Sequence, residues 1–420
     1  MPLVSVMLDA ASGIHIYGIA LEFFLFGITL IGVALFHHHT LKIALGGLMV
    51  ILFYKIVFCQ FDVLHHILGD NTHQGEWHVI LNLFGLLTGF AILARHFEDS
   101  HLPEHLPGIL PSGWRGGWVL LLIVFFFSSF LDNIAAAIIG ASLAHVIYKG
   151  KVHVGFLAAI VAASNAGGAG SVLGDTTTTM MWIDGVSPLD VLHAFAGSFG
   201  AFAFFSFFGA MQQQKLQPIM KEDSVLKQID WGRILIVCLI LAGTIATNVL
   251  LDFPAIGVWA AILIGMFIRK TNWNDLPHAI SGSLFLLSLV LSASMMPVSE
   301  LPVASWQSTL VLGFVSSVFD NIPLTKLALD QGGYDWGVLA YAVGYGGSMI
   351  WFGSSAGVAI SGIFPQAKSV SAWLKNGWHV IIGYVIGFAV LILALGWHPH
   401  EPHKEHKGQS KTNVTGHLPH

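Results

Sequence analysis

Long apolar runs alternate with short polar connections along the whole chain. A transmembrane helix needs about 20 predominantly apolar residues. Uninterrupted runs of about this length lie near 17–36, 41–59, 77–95, 188–210, 231–250, 254–269, 278–297 and 376–396. Four more apolar runs, broken near their centres, cover 117–148, 152–182, 304–331 and 336–363. The pattern predicts an all-α polytopic membrane protein with about ten transmembrane helices.

The broken runs occur in pairs, one member in each half of the chain. Ser128-Ser129-Phe130-Leu131-Asp132-Asn133-Ile134 interrupts the first run, and Ser316-Ser317-Val318-Phe319-Asp320-Asn321-Ile322 interrupts its counterpart. The other two contain Gly167-Gly168 then Gly174, and Gly346-Gly347 then Gly353, at the same spacing. Glycine-interrupted apolar segments at corresponding positions of two halves indicate a transporter binding site.

The repeat divides the chain into domains. We expect a first membrane repeat over 1–210, with a re-entrant hairpin at 117–148 and an unwound helix at 152–182. A cytoplasmic linker follows at 211–230. The second, inverted repeat covers 231–397, with a hairpin at 304–331 and an unwound helix at 336–363. Beyond it, 398–420 is predicted to be a disordered His-rich tail, a weak metal or pH-sensing role being the alternative.

Composition agrees with a membrane protein and excludes several classes. The 420 residues are 55% hydrophobic and 10% charged, against about a quarter charged in soluble domains. No part of the chain is left over for a soluble catalytic domain, so we expect neither an enzyme nor a nucleic-acid-binding protein. The lipid bilayer is the expected partner. Cys59 and Cys238 lie in apolar runs and are expected to be packing residues.

Basic residues predict the topology, because they concentrate in cytoplasmic loops. With the N- and C-termini outside and both hairpins re-entrant, nearly all basic residues before the tail face the cytoplasm. Lys149 and Lys151 are then cytoplasmic, while Asp330 and Asp335 are outside. Lys55 and Lys326 are the exceptions, and Lys326 either pairs with an acid of the second tip or extends to the interface. We predict a multi-pass protein of the bacterial inner membrane.

The chemistry of the site is expected to lie at the breaks. A carboxylate in the membrane costs a few kcal/mol and usually has a function. We expect Asp132 and Asn133 at one tip, and Asp320 and Asn321 at the other, to bind sodium through oxygen ligands. Asp175 is a third acid, and it can alternate between a proton and a cation. Further oxygen ligands are expected from Asn165, Ser171, Thr176, Ser348, Ser354 and Ser355. The glycines expected to open the backbone are Gly167, Gly168, Gly174, Gly346, Gly347 and Gly353.

Each of these interpretations has a plainer alternative. Asp and Asn at a hairpin tip can be helix N-caps or turn formers. Glycines in membrane helices are often close-packing sites. The threonines at 176–179 can simply bond to carbonyls of their own helix.

The chain resembles NhaD-type sodium/proton antiporters. The resemblance lies in Ser129 to Ile134, Ser164 to Ser171, Gly174 to Trp182, Asp320 to Pro323, and Gly346 to Met349 with Gly353 to Val358. It covers roughly 77–390. It implies an inverted-repeat fold, exchange of Na⁺ or Li⁺ for H⁺ by alternating access, no cofactor, and a homodimer. The wider superfamily contains citrate, dicarboxylate and arsenite carriers, so Na⁺-coupled transport of citrate or another oxyanion is the alternative.

The charged residues in the broken runs help to distinguish cation antiport from oxyanion transport. An anion site would be expected to carry arginine, and no Arg occurs within either hairpin or either glycine-containing run. Three aspartates, Asp132, Asp175 and Asp320, do occur at the breaks themselves. This balance favours a small inorganic cation as the main ligand, although the same acids can hold the coupling Na⁺ of a symporter.

Overall fold

The computed structural model describes residues 7–9, 13–36, 39–70, 75–220 and 227–400. Most of the predicted His-rich tail, residues 401–420, lies outside these ranges, as do His37 and His38 of the first predicted loop.

Helices account for nearly all the regular structure of the described residues. They are α1 (Leu21–Leu35), α2 (Thr40–Phe58), α3 (Val63–Leu68), α4 (Trp77–Asp99), α5 (Leu102–Ile109), α6 (Trp114–Ser128), α7 (Asn133–Ile147), α8 (Val154–Ala169), α9 (Thr176–Ile183), α10 (Pro188–Leu192), α11 (Ala194–Leu216), α12 (Trp231–Leu251), α13 (Pro254–Gly265), α14 (Leu276–Ser294), α15 (Trp306–Ser316), α16 (Asn321–Gln331), α17 (Trp336–Gly346), α18 (Ser355–Ile363), α19 (Val370–Asn376) and α20 (Trp378–Leu395). Short 3₁₀ turns cover Val298–Glu300 and Pro365–Lys368.

A small antiparallel sheet precedes the first helix. Its strands are β1 (Met7–Asp9), β2 (Gly13–Ile16) and β3 (Ile19–Ala20), paired in the order β1-β2-β3. Tyr17 and Gly18 both have positive φ, +54° and +80°, as a two-residue hairpin turn requires. The first helix therefore begins at Leu21, four residues later than the apolar run near 17–36.

The chain is a multi-pass integral membrane protein. Within the described ranges, six helical segments are long and apolar enough to cross a membrane: α2, α4, α10 with α11, α12, α14 and α20. On α2 and α12, apolar side chains such as Phe53 and Val249 are largely exposed in the isolated chain. Large apolar side chains on the outer surface of such a protein are suited to lipid.

The first broken run folds back on itself. Helices α6 and α7 pack against each other, and residues 129–132 separate them. At the open end of this pair, Gly117 lies beside the hydroxyl of Tyr148. Met220 N donates a hydrogen bond to Ile147 O at 2.9 Å, which ties this end to the linker. We call this side of the molecule, marked by residues 211–220 and 227–230, the linker side.

The second broken run forms a similar pair of helices, α15 and α16. Hydrogen bonds join the two ends of this pair that lie away from the tip. Gln331 Nε2 donates to Pro302 O at 2.8 Å, and Tyr334 Oη donates to Gln331 Oε1 at 2.9 Å. Lys326 Nζ, near this end of α16, donates to Glu76 Oε1 at 2.9 Å, just before α4 begins. We call this side the Glu76 side.

Helix α4 separates the two sides. It has 23 residues, so it is about 34 Å long. Glu76 precedes its first turn, whereas the last turn contains His96, which accepts from Arg233 Nη1 in α12, at the end of the linker. The two hairpins therefore open on opposite sides of the molecule, as an inverted repeat would require. The inverted repeat itself and the membrane side that each hairpin faces stay predictions.

The interrupted helices lie in the centre between the hairpins. Residues 155–169 of α8 and all of α17 are buried, and the two helices pack against each other. Non-helical segments at 170–175 and 347–354 lead from them into α9 and α18. Broken backbone is tolerated at membrane depth only where protein or a wet cavity surrounds it, and these segments meet that condition.

The first residues of the predicted tail, 398–400, make hydrogen bonds with the rest of the chain, while 401–420 lie outside the described residues. His398 N donates to Asp335 Oδ2 at 2.9 Å. His400 Nε2 lies 2.8 Å from Asp190 Oδ2, and Trp336 Nε1 donates to His400 O at 2.8 Å. These bonds attach the end of the second repeat to the beginning of α17.

Candidate functional site

Four short helices begin in the centre of the molecule, and each has a polar N-cap. Asp132, Asp175, Asp320 and Ser354 cap α7, α9, α16 and α18. The capping bonds come from the backbone amides of Ile134 (3.1 Å), Thr177 (3.1 Å), Ile322 (3.0 Å) and Gly357 (3.4 Å). The plainer interpretation as N-caps therefore holds for all three acids. Each of these bonds uses one carboxylate oxygen, so capping leaves the second oxygen for another ligand.

Asp132 and Asp175 line one small pocket. The pocket has a volume of about 10 Å³ and is otherwise lined by Thr176, Thr179, Leu173 and apolar residues of α4. A single water needs about 10–15 Å³, so the pocket has room for one water-sized species, such as a cation that has lost its water shell. Asp175 Oδ2 is buried without a hydrogen-bond partner, and it faces Gly344 of α17. Asp175 therefore lies between this pocket and α17, and it carries an uncompensated oxygen of the kind that a small cation or a proton would satisfy.

Asp320 lines a different and larger cavity of about 340 Å³. Ser355 lies beside it, and most of the wall is apolar, from α1, α14, α18 and the second hairpin. The cavity extends to Thr40 and His278, at the beginnings of α2 and α14. Arg95 in the last turn of α4 pairs with Asp275 just before α14, at 3.6 Å. His278 is therefore on the linker side, and the cavity leads from there to Asp320.

The predicted sodium ligands are thus divided between two cavities. Asp132 lines the small pocket and Asp320 the large one. Asp175 is within electrostatic reach of both carboxylates, although the sequence interpretation placed sodium on the two Asp-Asn tips without it. Asp132 with Asp175 is the pair that the structure brings together.

The tip asparagines differ in their surroundings. Asn133 Nδ2 donates to Asn165 Oδ1 at 3.1 Å, and Asn165 Nδ2 donates to Ser348 Oγ at 2.9 Å. This chain of bonds links the first hairpin, α8 and the break after α17, so it joins the two halves. Asn321 Nδ2 is buried without a partner. The predicted ligands Asn133, Asn165 and Ser348 are therefore neighbours that hold one another.

The threonines after Asp175 have two kinds of role. Thr178 and Thr179 each donate to Asp175 O at 2.9 Å, and also to the carbonyls of Ser171 and Val172 at 2.6 and 2.8 Å. The back-bonding interpretation holds for these two, which also close the break on itself. Ser171 Oγ accepts from Leu173 N at 3.3 Å and so stabilises the same turn.

The six glycines lie in or beside the two breaks. Gly167 and Gly168 are inside α8 and Gly346 ends α17, whereas Gly174, Gly347 and Gly353 lie in the non-helical segments. None of the six has positive φ, and their role in opening the backbone stays a prediction. Their common feature is close backbone contact, as the plainer interpretation holds. Gly167 and Gly346 lie against Phe125 O and Gly313 O, Gly174 and Gly353 against Ser128 O and Ser317 O, and Gly168 and Gly347 against Gly174 O and Gly353 O. A side chain at these positions would separate each hairpin from its broken helix.

One charged cluster was missed by the sequence interpretation. Lys326 is 2% exposed, and its ammonium lies 2.9 Å from Glu76 Oε1 and 2.6 Å from Asp330 Oδ1. It neither extends to the interface nor pairs with an acid of the tip. Lys55, the other exception to the charge pattern, is also buried and lies 3.1 Å from Glu22 Oε1. The available signal was Asp330, one helical turn after Lys326 in an apolar segment.

Comparison with known proteins gives a family. Residues 23–346 match the model of the family described as "CitMHS: Citrate transporter". Sodium/proton antiporter 1 of Arabidopsis thaliana is 26% identical over 368 residues, covering 76% of this chain and 62% of that protein. The Na⁺/H⁺ antiporter NhaD of Vibrio cholerae is 25% identical over 341 residues, covering 67% and 69%. NhaD of Alkalimonas amylolytica is 26% identical over 336 residues, covering 65% and 68%. The match thus spans about three fifths to two thirds of the length of these relatives.

Proposed function

The chain belongs to the citrate transporter family, in its NhaD-type branch, and from this premise we propose that it is a secondary transporter that exchanges Na⁺ or Li⁺ for H⁺ across the bacterial inner membrane. The observation that carries this proposal is the pocket of about 10 Å³ shared by Asp132 and Asp175. Two carboxylates around a space of this size suit a small cation or protons. Relatives named sodium/proton antiporters support it.

The helix caps favour a cation over an anion. The amide groups at a helix N-terminus attract negative charge, and four such termini meet in this site. Three of them are already bound by the protein's own carboxylates, Asp132, Asp175 and Asp320. A citrate or dicarboxylate would have to displace these acids or bind beside them without a compensating arginine.

The larger cavity supports the same conclusion. Its volume of about 340 Å³ is within the range of small-molecule sites, about 300–1,000 Å³. However, its inner end carries the Asp320 carboxylate within a mostly apolar wall, and this arrangement repels an anion. We infer that the cavity is the route by which a cation and protons reach Asp320 from the linker side, and that the structure represents the state open to that side.

Sodium-induced collapse of a pH gradient in everted vesicles tests the proposal. We expect Na⁺ or Li⁺ to collapse the gradient with the native protein, and citrate to have no effect. Asp132→Asn, Asp175→Asn and Asp320→Asn should abolish the response. Asn caps a helix about as well as Asp, so these variants remove charge while retaining the caps.

Asp62→Asn is the matched control. Asp62 caps α3 by accepting from His65 N at 3.0 Å on the exposed surface, so its replacement should leave exchange unchanged. Na⁺-dependent citrate uptake without any cation-induced collapse would contradict antiport and favour the carboxylate branch of the family.

A further inference from the structure

The Lys326 cluster lies between Asp320 and the Glu76 side. Asp320 caps α16 and Lys326 is six residues further along the same helix, a rise of about 9 Å. The ammonium is therefore displaced from the tip carboxylate toward the open end of the second hairpin. Lys326 is almost completely buried there, so a buried ion pair lies on the Glu76 side of the tip carboxylate.

The partners of Lys326 come from different parts of the fold. Asp330 is on α16 itself, one turn from the lysine. Glu76 immediately precedes α4, which belongs to the other repeat. Asp184, at the end of α9, is also within electrostatic reach of the ammonium. Of the bonds that Lys326 makes within the described residues, the one to Glu76 at 2.9 Å connects the second hairpin to the beginning of α4, whereas the one to Asp330 is internal to the hairpin.

Access to Asp320 therefore differs between the linker side and the Glu76 side. Toward the linker side a cavity of about 340 Å³ reaches the carboxylate. Toward the Glu76 side lies a buried ion pair in which Glu76 Oε2 and Asp330 Oδ2 are themselves buried and without a hydrogen-bond partner. A charge-assisted bond in such surroundings is costly to leave half broken. It thus has two well-defined arrangements, made or separated.

We propose that Lys326 and Glu76 are two further residues of the transport pathway, whose ion pair closes the route to Asp320 on the Glu76 side. The inference rests on the proposed function, because it assigns a gate to the pathway of that transporter. When the second hairpin moves relative to α4, Lys326 retains Asp330 and leaves Glu76, and the path from Asp320 to the Glu76 side opens.

The test measures access and does not depend on what is transported. Cys59 and Cys238 are replaced by Ser, and Thr325→Cys places a thiol on α16 between Asp320 and Lys326, at a fully buried position. A membrane-impermeant maleimide is then applied to right-side-out and to everted vesicles. With Glu76→Gln, labelling from the Glu76 side should rise about tenfold, as when an open minor state grows from about 1% to about 10% of molecules.

Asp330→Asn is the matched control, because it removes a partner of the same lysine without releasing the contact to α4. Its labelling should stay close to that of the native pair. Exchanging the charges, Glu76→Lys with Lys326→Glu, should restore slow labelling. Equal rates in Glu76→Gln and Asp330→Asn, or a rise from both sides of the membrane, would overturn the gate and leave the cluster a purely structural one.

Antiport itself is read separately in the same vesicles. If Na⁺ fails to collapse the pH gradient in the native protein while Glu76→Gln still increases labelling from one side only, the proposed function fails and the gate stands.

Discussion

The two breaks of the molecule have the same construction and different charge. In each half a hairpin tip capped by aspartate lies beside a broken helix, and glycines hold the two backbones in contact. The half-helix after the first break is capped by Asp175, but its counterpart after the second is capped by Ser354. Serine and aspartate cap helices about equally well. The two half-helices therefore share a cap and differ in its charge, so the comparison can separate a role in folding from a role in ion binding.

The surroundings of the two tips differ in the same sense. The first tip carboxylate shares an ion-sized pocket with Asp175, while Asp320 lines a cavity of about 340 Å³ that reaches the linker side. The first break thus resembles a binding site and the second an entrance. The following predictions would break or sharpen this distinction.

The largest effect is expected from Asp175→Ser, which gives the first break the cap of the second. The helix should keep its cap, so the free energy of unfolding should change by less than about 0.5 kcal/mol. Exchange of Na⁺ for H⁺ should fall to the background of empty vesicles, because the uncompensated oxygen is gone. Thermal unfolding of the purified protein measures the change in stability, and the gradient assay measures exchange. Retained exchange would show that Asp175 is only a cap.

Glycine replacement tests the shared construction. Gly174→Ala and Gly353→Ala would each force a methyl group against a hairpin carbonyl, that of Ser128 or Ser317. We expect both to destabilise by about 1–3 kcal/mol, in either half alike. Gly46→Ala is the control, since a methyl group there meets nothing within 4 Å. If only one break were sensitive, the close contacts would not be equivalent in the two halves.

Breaking the hydrogen-bonded chain that joins the two halves should reduce stability moderately. Asn165→Ala removes both bonds of the chain from Asn133 to Ser348, with an expected loss of about 1–3 kcal/mol for the polar groups left buried. A double-mutant cycle with Ser348→Ala should give a coupling of about 1 kcal/mol. Additive losses in thermal unfolding would indicate that the two residues act independently.

The smallest expected effect is a pH dependence of local stability, which should differ between the beginnings of α8 and α17. Gln213 holds the approach to α8 by accepting from His153 N at 2.8 Å, whereas His400 binds Asp190 beside α17. Burial by itself would lower the pKa of His400, but the hydrogen bond and charge of Asp190 outweigh it, so the pKa is raised above 6.5. A raised histidine pKa stabilises the folded state below the unfolded-state pKa, and this contribution is lost as pH rises through the folded-state pKa.

Hydrogen exchange at the beginning of α17 measures this loss. Its protection should fall as pH rises above about 6.5 relative to that of α8, after correction for the intrinsic rate. His400→Gln should remove the pH dependence of α17. The pH dependence of α8 should remain, because the His153 imidazole caps that helix by accepting from Gly155 N at 3.1 Å. The same pH dependence of α17 in the native protein and in His400→Gln would exclude a role for His400.

The sequence was informative where a pattern occurred twice. The repeated Ser-Ser-x-x-Asp-Asn-Ile strings and the equally spaced glycines predicted that the chain breaks near Asp132 and Asp320 and within the glycine-containing runs, and helices end and begin there. The NhaD-type resemblance is confirmed by the family match and the relatives. The ion-binding roles of the individual residues stay predictions.

What the sequence could not supply was pairing between distant segments. Glu76 and Lys326 are 250 residues apart, and their contact depends on how the second hairpin packs against α4. The sequence could not assign the glycines to one role for a related reason, because close backbone approach and freedom of φ both select glycine. The short sheet before α1 was missed because Ile14 to Ala20 reads as the start of an apolar helix.

The hydrogen-bonded chain from Asn133 through Asn165 to Ser348 has a consequence for local unfolding. It connects the first hairpin, α8 and the second break at a place where α8 and α17 are fully buried against each other. Elements joined in this way open together, as one cooperative unit with a shared opening free energy. The amide protons of both breaks should therefore exchange with solvent at a common rate, and a cation bound at the first break should slow the exchange at the second.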